Sequence, residues 1–351
     1  MKRRDSTVEL IRVIACLIVV TLHASSIVPL TEHDISKEIM AVILSDGVAI
    51  FFVISGFFMF KRESFGIEVK KTVLNIFIPA ILVAIITELL IEKSFSADIL
   101  INSVLTMSPT DNTGHLWYIF TYVELVIFWP CLKALTKDRK VNLYAIVIGI
   151  LCMIIQDING GFKWKYSLYE SPYAFEASIL VLIGFYIYNY YYDSLEQKKI
   201  VVRWVSLLTI LITTAFRCYF QIERFAEDIT ANFWCWWYRG IAAISSVAFI
   251  VLMMTVRIRR DKFSYLISKL GECTFGIYLL HFPIMVIFKE YYAKRMPLLM
   301  SSIGVVENSW IFDLLMTVTF AIVLFVVPLI ITITYKLLKK NIISLTQVPS
   351  E

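Results

Sequence analysis

"RVIACLIVVTLHASS" (residues 12–26) has the composition of a membrane-spanning helix, yet it opens with an arginine and carries a histidine near its far end. It lies in an apolar run over residues 8–30, and a helix needs about 20 apolar residues to cross a bilayer. No small-residue cleavage site follows the run, so we interpret it as a retained span and not as a signal peptide. The stretch predicts a membrane protein and raises the question of what its two polar residues face.

Arg12 and His23 are predicted to share one face of this helix. An α-helix turns 100° and rises 1.5 Å per residue, so eleven residues return the side chain to within about 20° of its start, about 16 Å along the axis. Glu9, Cys16 and Ser26 extend the same stripe. A charge at membrane depth is costly unless it faces a cavity or a partner. We therefore expect the stripe to face the interior of a helix bundle.

Each residue of this pair also has an ordinary structural interpretation. Arg12 can anchor the helix by extending to the interface or by pairing with Glu9, and His23 can form a hydrogen bond between helices. A cation and a base on one face are less easily explained in this way. We interpret them as a track with a positive group at one end and a proton acceptor at the other.

The rest of the chain repeats the apolar pattern. Of 351 residues, 59% are hydrophobic and 17% are charged, whereas about 25% are charged in a typical soluble domain. The sequence predicts an all-α polytopic transmembrane helical bundle of about ten spans, with residues 1–351 forming a single domain. The predicted spans are 8–30, 38–60, 72–92, 115–135, 141–157, 173–192, 200–220, 233–256, 272–290 and 311–336.

Lysine and arginine predict the orientation of the bundle. Positively charged loops stay in the cytoplasm, and two thirds of the 33 lysines and arginines fall in the N-terminal segment and in every second loop after it. This alternation predicts that both termini are cytoplasmic. Because the net charge of +5 is distributed over these loops, we expect membrane lipids as the surroundings and no nucleic-acid partner.

Several site patterns are absent from the sequence. The six cysteines form no CxxC pair, and the four histidines lack the spacing of a metal site. There is no GxSxG motif, no Walker A motif and no dinucleotide fingerprint. We therefore predict no metal and no permanently bound cofactor.

Four motifs in chain order carry a resemblance to a known family. Arg12 and His23 form the Arg-x10-His pattern that is the hallmark of the acyltransferase-3 membrane O-acyltransferases. The segments SDGVAIFFVISGFFMF (45–60), GHLWYIFTYVELVIFWP (114–130) and GECTFGIYLLHFPIM (271–285) are similar to further motifs of that family. The HLWY part resembles the subgroup that includes enterobacterial-common-antigen O-acetyltransferase and the membrane domain of membrane-bound serine racemases. The Arg-x-x-Arg motif that many members carry near the third span is absent.

The resemblance implies transfer of an acetyl or other acyl group from cytoplasmic acetyl-CoA, as co-substrate, to a hydroxyl of a cell-envelope or exported polysaccharide. It also implies a location in the bacterial cytoplasmic membrane. His23 would act as a general base or, alternatively, as a nucleophile that carries the acetyl group. The predicted catalytic residues are His23, Arg12 and His115, and the predicted donor contacts are Arg12, Ser55, Tyr278 and His281.

The acceptor, a saccharide or lipid-linked glycan, is expected to approach from the outer face. Its predicted contacts are Asp46, Trp117, Glu124 and Arg239. Aromatic rings of the outer loops can stack on sugars or can form an ordinary interfacial belt, and they include Trp164, Tyr166, Tyr169, Tyr173 and the 234–238 cluster.

Structural alternatives exist for the buried charges. Arg217 and Arg239 can pair with Glu223 or Glu227, and Glu124 can pair with an arginine inside the membrane.

Two other function classes remain open at this stage. A transporter or flippase of a glycan intermediate also needs polar residues that face a cavity, although no broken-helix repeat typical of secondary transporters is visible. An amino-acid-binding membrane domain is the other alternative, and the racemase resemblance suggests it. The sequence leaves open the acceptor, the acyl chain and the oligomeric state, for which a homo-oligomer is one option.

Overall fold

The chain forms helices throughout the part that the structure describes. The computed structural model describes residues 5–28, 35–61, 64–93, 96–105, 109, 111–161, 173–192, 194–227, 233–256, 258, 262–307 and 309–346. The prediction of an all-α helical bundle is confirmed, since these residues contain helices and no strand.

The α-helices are numbered in chain order. They are α1 (Ser6–Ser25), α2 (Ile35–Leu44), α3 (Asp46–Met59), α4 (Phe65–Thr72), α5 (Ile78–Glu92), α6 (Ala97–Leu105), α7 (Trp117–Ile127), α8 (Trp129–Thr136), α9 (Arg139–Gly161), α10 (Tyr173–Tyr190), α11 (Ser194–Gln197), α12 (Lys199–Glu227), α13 (Gly240–Met254), α14 (Lys262–Gly271), α15 (Thr274–Ser302) and α16 (Trp310–Thr346). A π-helical turn at Val73–Phe77 joins α4 to α5, and short 3-10 turns cover Asp111–Leu116 and Phe233–Cys235.

Within the described ranges, seven helical segments are long and apolar enough to cross a membrane, or up to nine if each of two bent pairs is one span. The bent pairs are α7 with α8, at 65°, and α14 with α15, at 54°. Pro130 explains the first bend, because it has no N–H to continue the helix of α7. The predicted span 173–192, the sixth of the ten, is not among these segments and coincides with α10, an 18-residue helix with Glu176 and Asn189 among its apolar residues. The count of ten spans and the orientation stay predictions.

Helix α1 is the centre of the bundle. Its first turn is capped by Asp5, whose carboxylate accepts a hydrogen bond from the backbone N–H of Thr7. Its apolar side chains belong to three buried clusters: Ile11 to one that includes residues of α3 and α10, Val20 to one with residues of α15 and α16, and Val19 to one with residues of α5 and α7. The face of α1 that carries polar residues therefore lies where three apolar clusters meet.

Hydrogen bonds define one end of the bundle, which we call the basic end. Ser6 bonds to Ser264 at the start of α14, and Thr7 donates to the carbonyl of Val256 just after α13. Arg203 at the start of α12 donates to the carbonyl of Thr255. The starts of α1, α12 and α14 therefore lie together at the end of α13. The far ends of α1 and α9 lie at the other end, which we call the opposite end.

Glycines allow α3 and α10 to cross at backbone contact. A Cβ at Gly56 would meet the carbonyl of Val181, and a Cβ at Gly184 would meet the carbonyl of Val53. Small residues serve this purpose widely in membrane helices. The contact fixes the position of Ser55, the neighbour of Gly56, relative to the rest of the bundle.

Candidate active site

His23 and His281 form a direct hydrogen bond between α1 and α15. Cys16 contacts Thr274, His23 contacts His281 and Ser26 contacts Met285. Because these contacts follow one another in the same order along both helices, the two helices run parallel. His23 Nδ1 lies 2.7 Å from His281 Nε2. The polar stripe of α1 thus faces α15, inside the bundle.

The second ring nitrogen of His281 determines the direction of this hydrogen bond. His281 Nδ1 lies 2.6 Å from the carbonyl oxygen of Tyr278, which can only accept, so Nδ1 carries the proton. In a neutral pair, His281 Nε2 is then the acceptor and His23 Nδ1–H is the donor. The lone pair of His23 remains on Nε2, and no hydrogen bond to Nε2 occurs among the described residues.

His115 lies beside this pair and is buried, with 3% of its surface exposed. Its ring is 5.5 Å from the ring of His281 and stacks on Phe282 at 4.6 Å. Among the described residues, neither ring nitrogen has a partner that meets ordinary hydrogen-bond geometry. Buried polar groups without partners are rare and often mark a functional role. His115 therefore carries unused hydrogen-bonding capacity next to the His23–His281 pair.

We expect His115→Phe to raise the thermal stability of the protein while it lowers turnover. Phenylalanine keeps the stack on Phe282, and it removes a buried polar ring whose missing partners cost about 1–3 kcal/mol. The measurement is the melting temperature in detergent together with the rate of acyl transfer. A variant that melts lower and keeps its activity would show that His115 is only a packing residue.

A cavity of about 170 Å³ lies on the basic side of the histidines. It is formed between α1, α3, the π-helical turn, α7 and the start of α15. Its lining side chains are Arg12, Phe51, Ile54, Ser55, Ile76, Tyr118, Ile119, Tyr122, Thr274, Phe275 and Tyr278. Three of the four predicted donor contacts, Arg12, Ser55 and Tyr278, therefore line one cavity.

Tyr278 joins the cavity to the histidines. Its ring packs against Tyr118 at 5.6 Å and against His281 at 5.7 Å, and its hydroxyl donates to the backbone carbonyl of His115. His281, the fourth predicted donor contact, is not part of the lining and instead bonds His23. One turn of α15 thus separates the end of the cavity from the histidine pair.

Arg12 supplies positive charge to the cavity. Its Nη1 lies 2.9 Å from both carboxylate oxygens of Glu9, and Glu9 is buried against Gly271, where a Cβ would leave it no room. The side chain of Arg12 has 24% of its surface exposed. No hydrogen bond from its Nε or Nη2 occurs among the described residues. Glu9 therefore positions Arg12 and leaves part of the guanidinium for a ligand.

Asp46 does not face the histidines. Its carboxylate lies 2.6 Å from Nη1 of Arg217, a fully buried residue of α12. Arg217 also donates to Ser45 and to the carbonyls of Val42 and Trp234. The break between α2 and α3 supplies Ser45, Asp46 and the carbonyl of Val42, and the 3-10 turn at Phe233–Cys235 supplies the carbonyl of Trp234. The structure gives Asp46 an ion pair with Arg217, and its predicted role as an acceptor contact stays a prediction.

Of the remaining predicted acceptor contacts, two lie on one aromatic cluster and the third lies apart. Trp117 stacks on Trp237 at 5.2 Å near the opposite end. Arg239 covers the ring of Phe233 at 3.4 Å. Glu124 is half-buried and lies seven residues along α7, about 10 Å nearer the basic end than Trp117. Trp117 and Arg239 therefore meet one aromatic cluster, since Arg239 also lies over the ring of Tyr238 at 4.8 Å, whereas Glu124 lies apart from it.

Some predicted residues lie outside the described part of the chain, and one group was missed. Trp164, Tyr166 and Tyr169 lie in the undescribed range 162–172. Sequence reasoning missed Tyr118 and Tyr122 as cavity residues, although their spacing of four places them on one face of α7. Within the described ranges, no group of three or more His, Cys, Asp or Glu residues is arranged to hold a metal ion.

Comparison with known proteins identifies the family. A family model described as an acyltransferase domain matches residues 5–337, which is nearly the whole chain. No curated protein and no solved structure matches the chain significantly. The chain therefore belongs to the acyltransferase-3 family of multi-pass membrane acyltransferases.

Proposed function

We propose that this membrane acyltransferase moves an acetyl group from acetyl-CoA to a hydroxyl group of a cell-envelope or exported polysaccharide. One observation carries the proposal: the Arg12 cavity ends one turn below the His23–His281 pair. A positive group and a base therefore lie on one path through the bundle, about 16 Å apart along α1.

The donor enters from the basic end in this proposal. The nucleotide end of acetyl-CoA is anionic and is attracted to the lysines and arginines there and to Arg12. Its extended pantetheine arm is comparable in length with the separation of Arg12 and His23. The size of the cavity can be compared with that of a known ligand site, since a protein cavity of ~150 Å³ holds one benzene molecule. An acetyl thioester with its two adjoining methylenes has the same number of non-hydrogen atoms as benzene. The 170 Å³ cavity suits the reactive end of the donor.

His23 acts as the general base in the transfer. Its Nε2 takes the proton of the acceptor hydroxyl, and the hydroxyl oxygen attacks the thioester carbonyl carbon. The carbon–sulfur bond then breaks, the acetyl group stays on the acceptor oxygen, and the CoA thiolate takes the proton from His23. His115 contacts the substrates at this point, because its buried ring nitrogens have no hydrogen-bond partner among the described residues.

A test of the reaction uses purified protein, radiolabelled acetyl-CoA and total cell-envelope glycan. We expect label on the glycan, and label trapped on His23 would instead identify the histidine as a nucleophile. Label on neither glycan nor protein, together with no binding of acetyl-CoA, would overturn the proposal and favour a transport function.

Arg12→Gln is expected to raise the KM for acetyl-CoA at least about tenfold, since a hydrogen bond to a charged group contributes about 1.5–3 kcal/mol. Glutamine retains a polar group but loses the charge and the fork of donors. Lys294→Gln is the matched control, because Lys294 is exposed, lies far beyond Thr274 along α15 toward the opposite end, and does not line the cavity. Equal KM values for both variants would remove Arg12 from the donor site.

A further inference from the structure

We infer that His281 is a positioning residue that holds His23 in the tautomer whose Nε2 is free to accept a proton. The inference rests on the proposed function for its catalytic meaning, but the tautomer itself is a property of the resting protein. Neither the motif nor the predicted donor role of His281 assigns it this task. Three atoms determine this tautomer: the carbonyl oxygen of Tyr278 and the facing nitrogens of the two imidazoles.

The carbonyl of Tyr278 determines which ring nitrogen of His281 carries the proton. A peptide oxygen accepts and never donates, so His281 carries its proton on Nδ1. Because His281 is fully buried, no water competes for its ring nitrogens. Its Nε2 therefore presents a lone pair toward His23.

That lone pair selects the tautomer of His23. Which nitrogen of an imidazole is protonated is set by the hydrogen bond that the other nitrogen makes. The 2.7 Å contact uses His23 Nδ1 as the donor, which leaves Nε2 as the base. The opposite tautomer would place two lone pairs against each other at that distance. His281 thus excludes the form of His23 that has no lone pair on Nε2.

The same contact strengthens during the reaction. When His23 takes the acceptor proton, its Nδ1–H becomes the donor of a charge-assisted hydrogen bond to His281. In a Ser–His–Asp triad the carboxylate holds the histidine in a similar way, and an amide that favours the wrong tautomer lowers kcat about 10⁴-fold. His281 is neutral, so its loss should cost less than the carboxylate does. We expect a fall of about 10²-fold in kcat when the acceptor nitrogen is removed.

Two amides of different length separate positioning from packing. The side-chain oxygen of glutamine reaches the position of Nε2, so His281→Gln can still accept from His23 Nδ1–H. The shorter His281→Asn can bond only toward the carbonyl of Tyr278. We expect the asparagine variant to lose about 10²-fold in kcat and the glutamine variant to recover at least a tenth of wild-type kcat, with the KM for acetyl-CoA unchanged in both.

The tautomer can be read directly by ¹⁵N NMR of the histidine rings at pH 8, without substrate. The chain has four histidines, so labelling with ¹⁵N-histidine gives few signals, and the loss of one set in His23→Gln assigns His23. We expect wild-type and His281→Gln protein to show His23 protonated on Nδ1 alone. In His281→Asn we expect a mixture of both tautomers.

The outcomes separate this inference from the proposed reaction. His23 protonated on Nε2 in wild type, or an unchanged tautomer in His281→Asn, would overturn the positioning role even if acetyl transfer is observed. Equal losses of kcat in the asparagine and glutamine variants would also overturn it, since they would indicate a role in packing. If the expected tautomers are observed but the protein transfers no acetyl group, the positioning role of His281 is supported and only the proposed function is overturned.

Discussion

His23→Ala is expected to lower the turnover of acetyl transfer by about 10²–10⁴-fold, the usual cost of removing a general base. The expectation follows from the free Nε2 of His23, the hydrogen bond that fixes its ring, and its place one turn beyond the Arg12 cavity. The measurement is kcat with radiolabelled acetyl-CoA and envelope glycan. Binding of acetyl-CoA should persist, because Arg12 and the cavity are unchanged.

Thr21→Ala is a suitable control for this experiment. Thr21 lies on the same helix, and its hydroxyl bonds to the carbonyl of Leu17 and to no other group in the described part of the chain. We expect wild-type turnover in this variant. Wild-type turnover in His23→Ala would exclude both the base and the nucleophile roles of His23.

Asp46→Ala is expected to destabilise the fold by about 3–5 kcal/mol, because it leaves the buried charge of Arg217 without its carboxylate. Arg217 is fully buried, so no water replaces the lost partner. A large fall of the melting temperature in detergent, or loss of folded protein, is the expected result. The double variant Asp46→Leu/Arg217→Leu should melt higher than Asp46→Ala, since removal of both charges is less costly than removal of one.

This prediction also separates two roles for Asp46. A structural ion pair predicts a change in melting temperature for Asp46→Ala, whereas an acceptor contact predicts a higher KM for glycan at an unchanged melting temperature. The second pattern would contradict the structural assignment. Asp46→Asn is the intermediate case, because its amide oxygen can still accept from Arg217, and it should melt between wild type and Asp46→Ala.

The stripe on α1 could be predicted because it depends on local geometry alone. Helical periodicity places Glu9, Cys16 and His23 on one face, and burial of charge requires that face to be inside. The structure places these residues against α14 and α15. The apolar runs predicted the helical class for the same reason, since backbone groups in lipid must be bonded within a helix.

The pairing of side chains from distant segments could not be predicted. His23 and His281 are 258 residues apart, and Asp46 and Arg217 are 171 apart. Such contacts depend on how far one helix is shifted along its neighbour, and that shift follows from packing such as the glycine contact between α3 and α10. The break at Ser45 was missed, although Ser45, Asp46 and Gly47 interrupt the apolar run 38–60 at that point. The bend after α7 could have been predicted from Pro130 itself, but we interpreted 115–135 as one straight span.

Transfer across oriented vesicles tests the central claim most directly, namely that acetyl-CoA enters at the basic end and the acceptor at the opposite end. A Gly66→Cys variant reports the orientation, because Gly66 is exposed and an impermeant maleimide reaches this thiol only where the basic end faces the medium. Wild-type protein controls for reaction of native thiols.

The vesicles enclose envelope glycan and receive radiolabelled acetyl-CoA from outside. We predict that enclosed glycan gains label only in vesicles whose basic end faces the medium, and that His23→Ala abolishes this label. Label that reaches the enclosed glycan only when the opposite end faces the medium would contradict the account.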